Sequence, residues 1–155
     1  KDLFNYLQNS GKDPASLIFE DELTGLYNRR CLHNYCQQNI NWGSLEENPV
    51  SLIMMDLDRF KGINDTFGHE AGDLALIHIA NILREVASEK YLSIRYAGDE
   101  FIIVLPQTDK QSALNVGEGL LRVVQNTPLR LEGGAELALA LSLGIASAPV
   151  GARDH

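Results

Sequence analysis

Long apolar runs are missing from this chain. No stretch approaches the ~18 uncharged apolar residues of a membrane-spanning helix, and no basic-then-apolar leader opens it. Basic charge is scarce. Against 21 Asp and Glu stand 13 Lys and Arg, a formal net charge of −8. That argues against a general nucleic-acid binder, which needs a basic face to meet phosphate. A nucleotide substrate remains compatible, because divalent cations can sit between acidic residues and a triphosphate. Cysteine is nearly absent: Cys31 and Cys36 are the only two. Their spacing puts them on different faces of a helix. No further cysteine completes a metal set, so they read as free thiols in a reducing compartment. Repeats and low-complexity tracts are absent as well.

What is present suits one globular domain: 155 residues, 45% hydrophobic and 22% charged. Residue 1 is Lys, not Met, so the chain is expected to come from a longer protein. Residues 1–20 read as a helix and linker from that parent, and 21–155 as the domain.

Apolar periodicity places the elements. Residues 1–8 read as the end of a helix, broken by Asn9, Ser10, Gly11 and Pro14. Leu32, Tyr35, Cys36 and Ile40 predict a helix over 28–40. After a loop over 43–49, the run 51–55 predicts a buried central strand. Residues 60–67 predict a short helix that Gly68 stops. Ala75, Ile79, Ile82, Leu83 and Val86 line one face of a helix over 71–86. Two β-prone runs over 91–105 flank a tight glycine-containing link and predict a hairpin. Thr108 to Gln111 has the form of a capping box. The helix it opens is supported by Leu114, Leu121 and Val124 and weakened by Gly117 and Gly119. A short strand over 129–131, a turn over 132–135 and a long strand over 137–146 follow. This order predicts an α+β fold with helices packed on a mixed sheet, not a run of βαβ units.

Carboxylates gather at two strand ends. Asp56 and Asp58 flank Leu57 at the end of the central run, and Asp99 and Glu100 occupy the hairpin link. Carboxylates at the ends of separate strands can converge on a hard divalent cation. Blander readings exist for each residue. A strand-terminal Asp caps the next helix, and acids at a hairpin tip face water. A lone Lys61 is most often a solvated lysine, and Asp73 alone reads as a helix-surface acid.

The motif Ala97-Gly98-Asp99-Glu100-Phe101 resembles the signature of GGDEF domains, the diguanylate cyclases. The stretch from Asp21 to Arg30 resembles that family's opening motif, and Asp56 to His69 its metal- and nucleotide-binding segment. Gly72-Asp73 and the run 141–146 also fit. Five ordered motifs at family spacing, over about 21–148, carry far more weight than any one alone. The resemblance implies a palm-like nucleotidyl-cyclase fold with a βααββαβ core, its central mixed or antiparallel sheet flanked by helices. It implies a cyclase that condenses two GTP into cyclic di-GMP and two pyrophosphates. It also implies Mg²⁺, two ions per GTP, with Mn²⁺ as a substitute, and a homodimer in which each domain holds one GTP. The degenerate alternative is a GGDEF module that binds GTP or a partner without turnover.

Carried over residue by residue, the resemblance makes Asp56, Asp99 and the Leu57 carbonyl metal ligands. It makes Asp99, Glu100 and Lys61 catalytic. Arg59, Phe60, Asn64, Asp73, Ala97 and Gly98 become substrate contacts, with Asn64 and Asp73 reading guanine. The pairing has chemical sense, since guanine offers N1–H and N2–H₂ donors to a carboxylate and Asn has both a donor and an acceptor. Asp21, Thr24, Gly25, Asn28 and Arg29 match an opening turn read as structural. An upstream sensory domain in the parent and a cytoplasmic location are expected, with a membrane anchor in the parent left open. No nucleic-acid or membrane contact is expected of this segment.

Three departures stand out. Ala97 replaces the family's first glycine. A methyl group is harmless there at negative φ and costs ~1 kcal/mol or more at positive φ. Many relatives carry an inhibitory Arg-x-x-Asp product site before the signature, where this chain has Ser88 and Tyr91. The family's C-terminal helix and last strand are expected to be missing after residue 151.

Overall fold

A computed structural model describes residues 11, 14–87 and 89–149. The helix expected over 1–8 lies outside the described residues. Helix α1 (Pro14–Phe19) begins at the proline expected to break a helix. Proline is tolerated at a first helical position because its missing N–H would have no intrahelical partner there. Helix α2 (Arg29–Asn39) starts where the Asn28 side chain accepts a hydrogen bond from the Cys31 amide.

Strand β1 (Val50–Leu57), helices α3 (Phe60–Phe67) and α4 (His69–Val86), and strands β2 (Leu92–Ala97) and β3 (Glu100–Pro106) follow. Then come helix α5 (Lys110–Asn126), the short strands β4 (Leu129–Arg130) and β5 (Glu136–Leu137), and strand β6 (Leu141–Ala148). The sequence β1-α3-α4-β2-β3-α5-β6 is the expected βααββαβ order.

The main sheet runs β2-β3-β1-β6. Every neighbouring pair in it is antiparallel, which resolves the mixed-or-antiparallel expectation. β1 is therefore central, held by ladders on both sides. Ile53, Met55 and Leu57 point into the larger core with Ala75, Leu76, Ile79 and Leu83 of α4. The buried α4 residues recur three and four apart, so they form one stripe. α2 covers part of the other face, where Leu32 and Ile40 join Ile94, Ile102 and Val104.

Four expectations need correcting. β1 is not buried on both faces, because Met54 is 49% exposed. The long strand over 137–146 is two strands: β5 pairs with β4 in a separate ribbon, and β6 pairs with β1. Thr108 is not the cap of α5. Its hydroxyl donates to the Pro106 carbonyl, and Asp109 caps the helix by accepting from the Ser112 amide. That bond holds the Asp109 carboxyl below its ordinary pKa. Finally, Leu114 and Leu121 face outward, while the buried face of α5 is Ala113, Gly117, Leu120 and Val124.

Candidate functional site

The site is built at one end of the sheet. In register, Asp56 of β1 lies between Glu100 of β3 and Ser142 of β6. Its neighbours Met55 and Leu57 are buried, so strand alternation sends Asp56 to the open face. Glu100 follows the same logic beside fully buried Phe101. A shallow trough runs along this face, lined by Met54, Asp56, Glu100, Ile102, Ser142 and Gly144.

Two acids directly opposite on neighbouring strands repel each other. No Lys or Arg pairs with Asp56, Asp58, Asp99 or Glu100 among the described residues. Asp58 is anchored instead: the Ser142 hydroxyl donates to its carboxylate at 2.6 Å, and its amide donates to the Ala140 carbonyl at 2.8 Å. The Leu57 amide donates to the Asp99 carbonyl at 3.1 Å. That bond hooks the hairpin turn onto the end of β1.

The hairpin turn is Gly98-Asp99, with Gly98 at φ +22°. A one-residue irregularity between Arg95 and Ala97 leaves Tyr96 unpaired in the ladder. The Arg29 guanidinium lies 4.3 Å from the centre of the Tyr96 ring. Among the described residues only Arg59 and Gln107 are non-glycines with positive φ. Ala97 is not one of them, so its methyl group carries no left-handed strain.

Behind the turn sits a clamp. Arg95 Nε donates to the Gly98 carbonyl at 3.1 Å, and its Nη1 meets both Asp21 oxygens at 3.2 Å. Asp21 also accepts from the Thr24 amide at 2.9 Å and from the Thr24 hydroxyl at 2.7 Å. Partial burial pushes the Asp21 carboxyl up, but the Thr24 bonds and Arg95 together outweigh it and hold the pKa below 3.8. A carboxyl with a depressed folded pKa adds stability above its unfolded value. That contribution is lost as pH falls through the folded value. Asp21→Ala is therefore expected to cost about 1–2 kcal/mol at neutral pH, allowing for solvent screening. The gap between variant and wild type should close below about pH 4, near the unfolded carboxylate value. Urea melts of both proteins from pH 7 to pH 2 check this, and a gap that stays constant would refute it.

The second half of the candidate site is the α3–α4 pair. Arg59 caps α3 in the left-handed region, at φ +59°, and gives no side-chain cap. Lys61 is exposed on the first turn. The Phe60 ring is half-buried against the core, so this residue has its amide to offer, not its ring. The Asn64 side chain lies on Gly72 of α4, and Asp73 is exposed beside it.

Among the described residues no three His, Cys, Asp or Glu side chains form a ready-made metal cage. The candidate donors are the Asp56 and Asp99 carboxylates and the Leu57 carbonyl. An all-oxygen set beside an unneutralised pair of facing acids fits a hard divalent cation. Cys31 and Cys36 are free. Burial pushes both thiols up, with Glu20 adding to the effect at Cys31, so neither is primed for chemistry. No described helix is long and apolar enough to cross a membrane.

Sequence reasoning missed Ser142 as a partner of Asp58, and Arg95 as the group holding the turn. Ser142 was legible as a polar break in the apolar run 141–146. Nothing local linked Arg95 to Asp21, which lies 74 residues away.

A four-stranded antiparallel sheet with acids at the end of its central strand and at the adjoining hairpin defines a palm-like α+β domain. The family described as diguanylate cyclase, GGDEF domain, matches residues 18–155, and the chain belongs to it. The response regulator PleD of Caulobacter vibrioides is 36% identical over 151 residues, covering 97% of this chain and 33% of that protein. Diguanylate cyclase DosC of Escherichia coli is 39% identical over 127 residues, covering 81% of this chain and 27% of that protein. The chain thus spans about a third of the curated relatives it matches. Among solved structures, the coiled coil and GGDEF domain of DgcB from Caulobacter crescentus, in complex with c-di-GMP, matches with a TM-score of 0.80. Identity there is 25%, and the match covers 94% of this chain and 75% of that one. Diguanylate cyclase SiaD from Pseudomonas aeruginosa, in complex with its activator SiaC, matches with a TM-score of 0.78. It is 32% identical, over 97% of this chain and 56% of that one.

Proposed function

We propose that this chain is the catalytic domain of a diguanylate cyclase. It would join two GTP molecules into cyclic di-GMP and release two pyrophosphates. The observation that supports this most is the end of β1, where Asp56 faces Glu100 and the Asp99 turn is bonded to Leu57. These oxygens suit a divalent cation, and family membership favours one. Mg²⁺ held by Asp56, Asp99 and the Leu57 carbonyl would neutralise the triphosphate and the departing pyrophosphate.

The chain's own residues do the rest. No side chain caps the first amides of α3, and they can donate to phosphate oxygens. Lys61 adds a point charge there. Asn64 and Asp73 read the guanine edge, and Ala97 and Gly98 let the substrate lie close to the backbone. Asp99 takes the proton of the 3′-hydroxyl as that oxygen bonds to the α-phosphorus and the bond to pyrophosphate breaks. Glu100 adds a second carboxylate opposite Asp56 for the cation to offset. Each domain presents one GTP, so two copies must face each other, and orientation supplies much of the rate. Residues 1–20 would link the domain to an upstream sensory domain in a cytoplasmic part of the parent.

The test is the full-length parent with GTP and Mg²⁺. Cyclic di-GMP with two pyrophosphates per product is the expected result. Binding of GTP with no product would leave a non-catalytic module and overturn the reading.

Feedback gives a further prediction. Tyr91 stands where many relatives have the Asp of the product site, and it packs against the core. With Ser88 in place of Arg, no guanidinium fork is available there. Added cyclic di-GMP at saturating GTP is expected to inhibit less than about twofold at micromolar levels, the concentrations of an ordinary regulatory site. Strong non-competitive inhibition in that titration would reveal a site elsewhere.

A further inference from the structure

α3 and α4 meet at a single residue. Gly68 has φ +94° and ψ 163°, caps the end of α3 and begins α4. The two helices pack against each other beyond that corner, and the first turn of α4 meets Phe60 and Asn64 of α3. The α4 residues buried there are Ala71 and Gly72, both small. A Cβ built on Gly72 would overlap the carboxamide of Asn64 and stand 3.3 Å from the Phe60 ring. Asn64 and Phe60 are one helical turn apart, so one bare patch of α4 backbone receives both.

The Asn64 carboxamide makes no hydrogen bond to another described side chain or backbone group. It is therefore held by packing alone, pressed onto Gly72 one residue before Asp73. Neither its donor nor its acceptor is spent on such a bond, and the oxygen is the atom nearest Gly72. An alanine at 72 would need no unusual backbone angle, because Gly72 is helical. The methyl group would instead take the space that the carboxamide fills, and close packing leaves it nowhere to relax without a new rotamer.

We propose that Gly72 is a positioning residue for nucleotide discrimination. Its missing side chain seats the Asn64 amide beside Asp73, and the two read a purine edge as one unit. This rests on the guanine-reading role given to Asn64 and Asp73 above. Gly72 itself touches no substrate.

The experiment measures GTP and ATP affinity by calorimetry, with Ca²⁺ as the counter-ion, for wild type, Gly72→Ala, Asn64→Ala and the double variant. Wild type should prefer GTP over ATP. Gly72→Ala should weaken GTP by about tenfold, the worth of one hydrogen bond to a polar group, and leave ATP within about twofold. In the Asn64→Ala background the same change should cost less than about twofold, because the group it displaces is gone. An equal cost in both backgrounds overturns the proposal, and so does an unchanged GTP-to-ATP ratio in Gly72→Ala. A Gly72→Ala chain that fails to fold overturns it too, leaving Gly72 a packing residue only. Wild type binding GTP and ATP equally would sink the guanine-reading role itself, a result separable from the other three.

Discussion

Asp56→Ala and Asp99→Ala are each expected to cut GTP turnover by about a thousandfold or more, the scale of losing metal-based charge stabilisation in the transition state. Pyrophosphate release by the full-length protein is the readout, with circular dichroism as the check on folding. Both side chains lie outside the core clusters, so removing them leaves no cavity in the core. A companion result follows from the register. Asp56 faces Glu100 directly, and in chelator-treated buffer one of two like charges is a liability. Asp56→Asn should there be at least as stable as wild type. Near-wild-type turnover by either folded alanine variant would refute the metal assignment.

Phe101→Ala is expected to cost about 3–5 kcal/mol, the range for truncating a fully buried phenylalanine. Phe101 is 0% exposed and pairs in register with Met55 on one side and Arg95 on the other. Its ring thus sits under the strand end that carries Glu100. Urea denaturation gives the number, and a loss below about 1 kcal/mol would show that the cavity is filled by neighbours. Cyclase activity should fall along with the folded fraction, whereas Asp56→Ala should remove activity from a folded protein. The contrast separates the two roles along one strand pair.

The parts of the fold written locally were readable in the sequence. α4 announces itself through apolar residues three and four apart, and the hairpin through two β-prone runs around Gly98-Asp99. The short α3 was legible from Gly68. What failed was decided elsewhere in the chain. The buried face of α5 carries Gly117 where an apolar mark would be expected. A Cβ there would lie 3.2 Å from Leu143, so the residue that looks like a helix breaker makes room for β6. Leu114 and Leu121 then took the apolar reading although they face outward. The run 137–146 reads as one strand because all but one of its residues are apolar or glycine. Only its pairing, with β4 first and β1 second, divides it.

The same limit holds at the candidate site. Asp56, Asp99 and Glu100 stand out in the sequence as candidates, and the structure brings their strand ends together. Arg95 and Ser142 were invisible as partners of Asp21 and Asp58, because those bonds join residues 74 and 84 apart. Ala97 was undecidable from sequence alone, since its effect hangs on the sign of one backbone angle. That angle is not positive.

The two-sided pairing of β1 also limits how this segment can change length. A residue inserted between 50 and 56 would turn Asp56 toward the helices and Met55 toward the open face, because side chains alternate one by one. Both flanking ladders would then have to slip together, over the seven partners on β3 and the eight on β6. Substitutions can be absorbed one at a time, but an insertion here inverts a whole row at once. Extra residues are accommodated far more cheaply at the Gly133-Gly134 turn, where both residues have φ +93° and a Cβ meets nothing within 4 Å. A tag or probe placed there would leave the count from Val50 to Asp56 untouched.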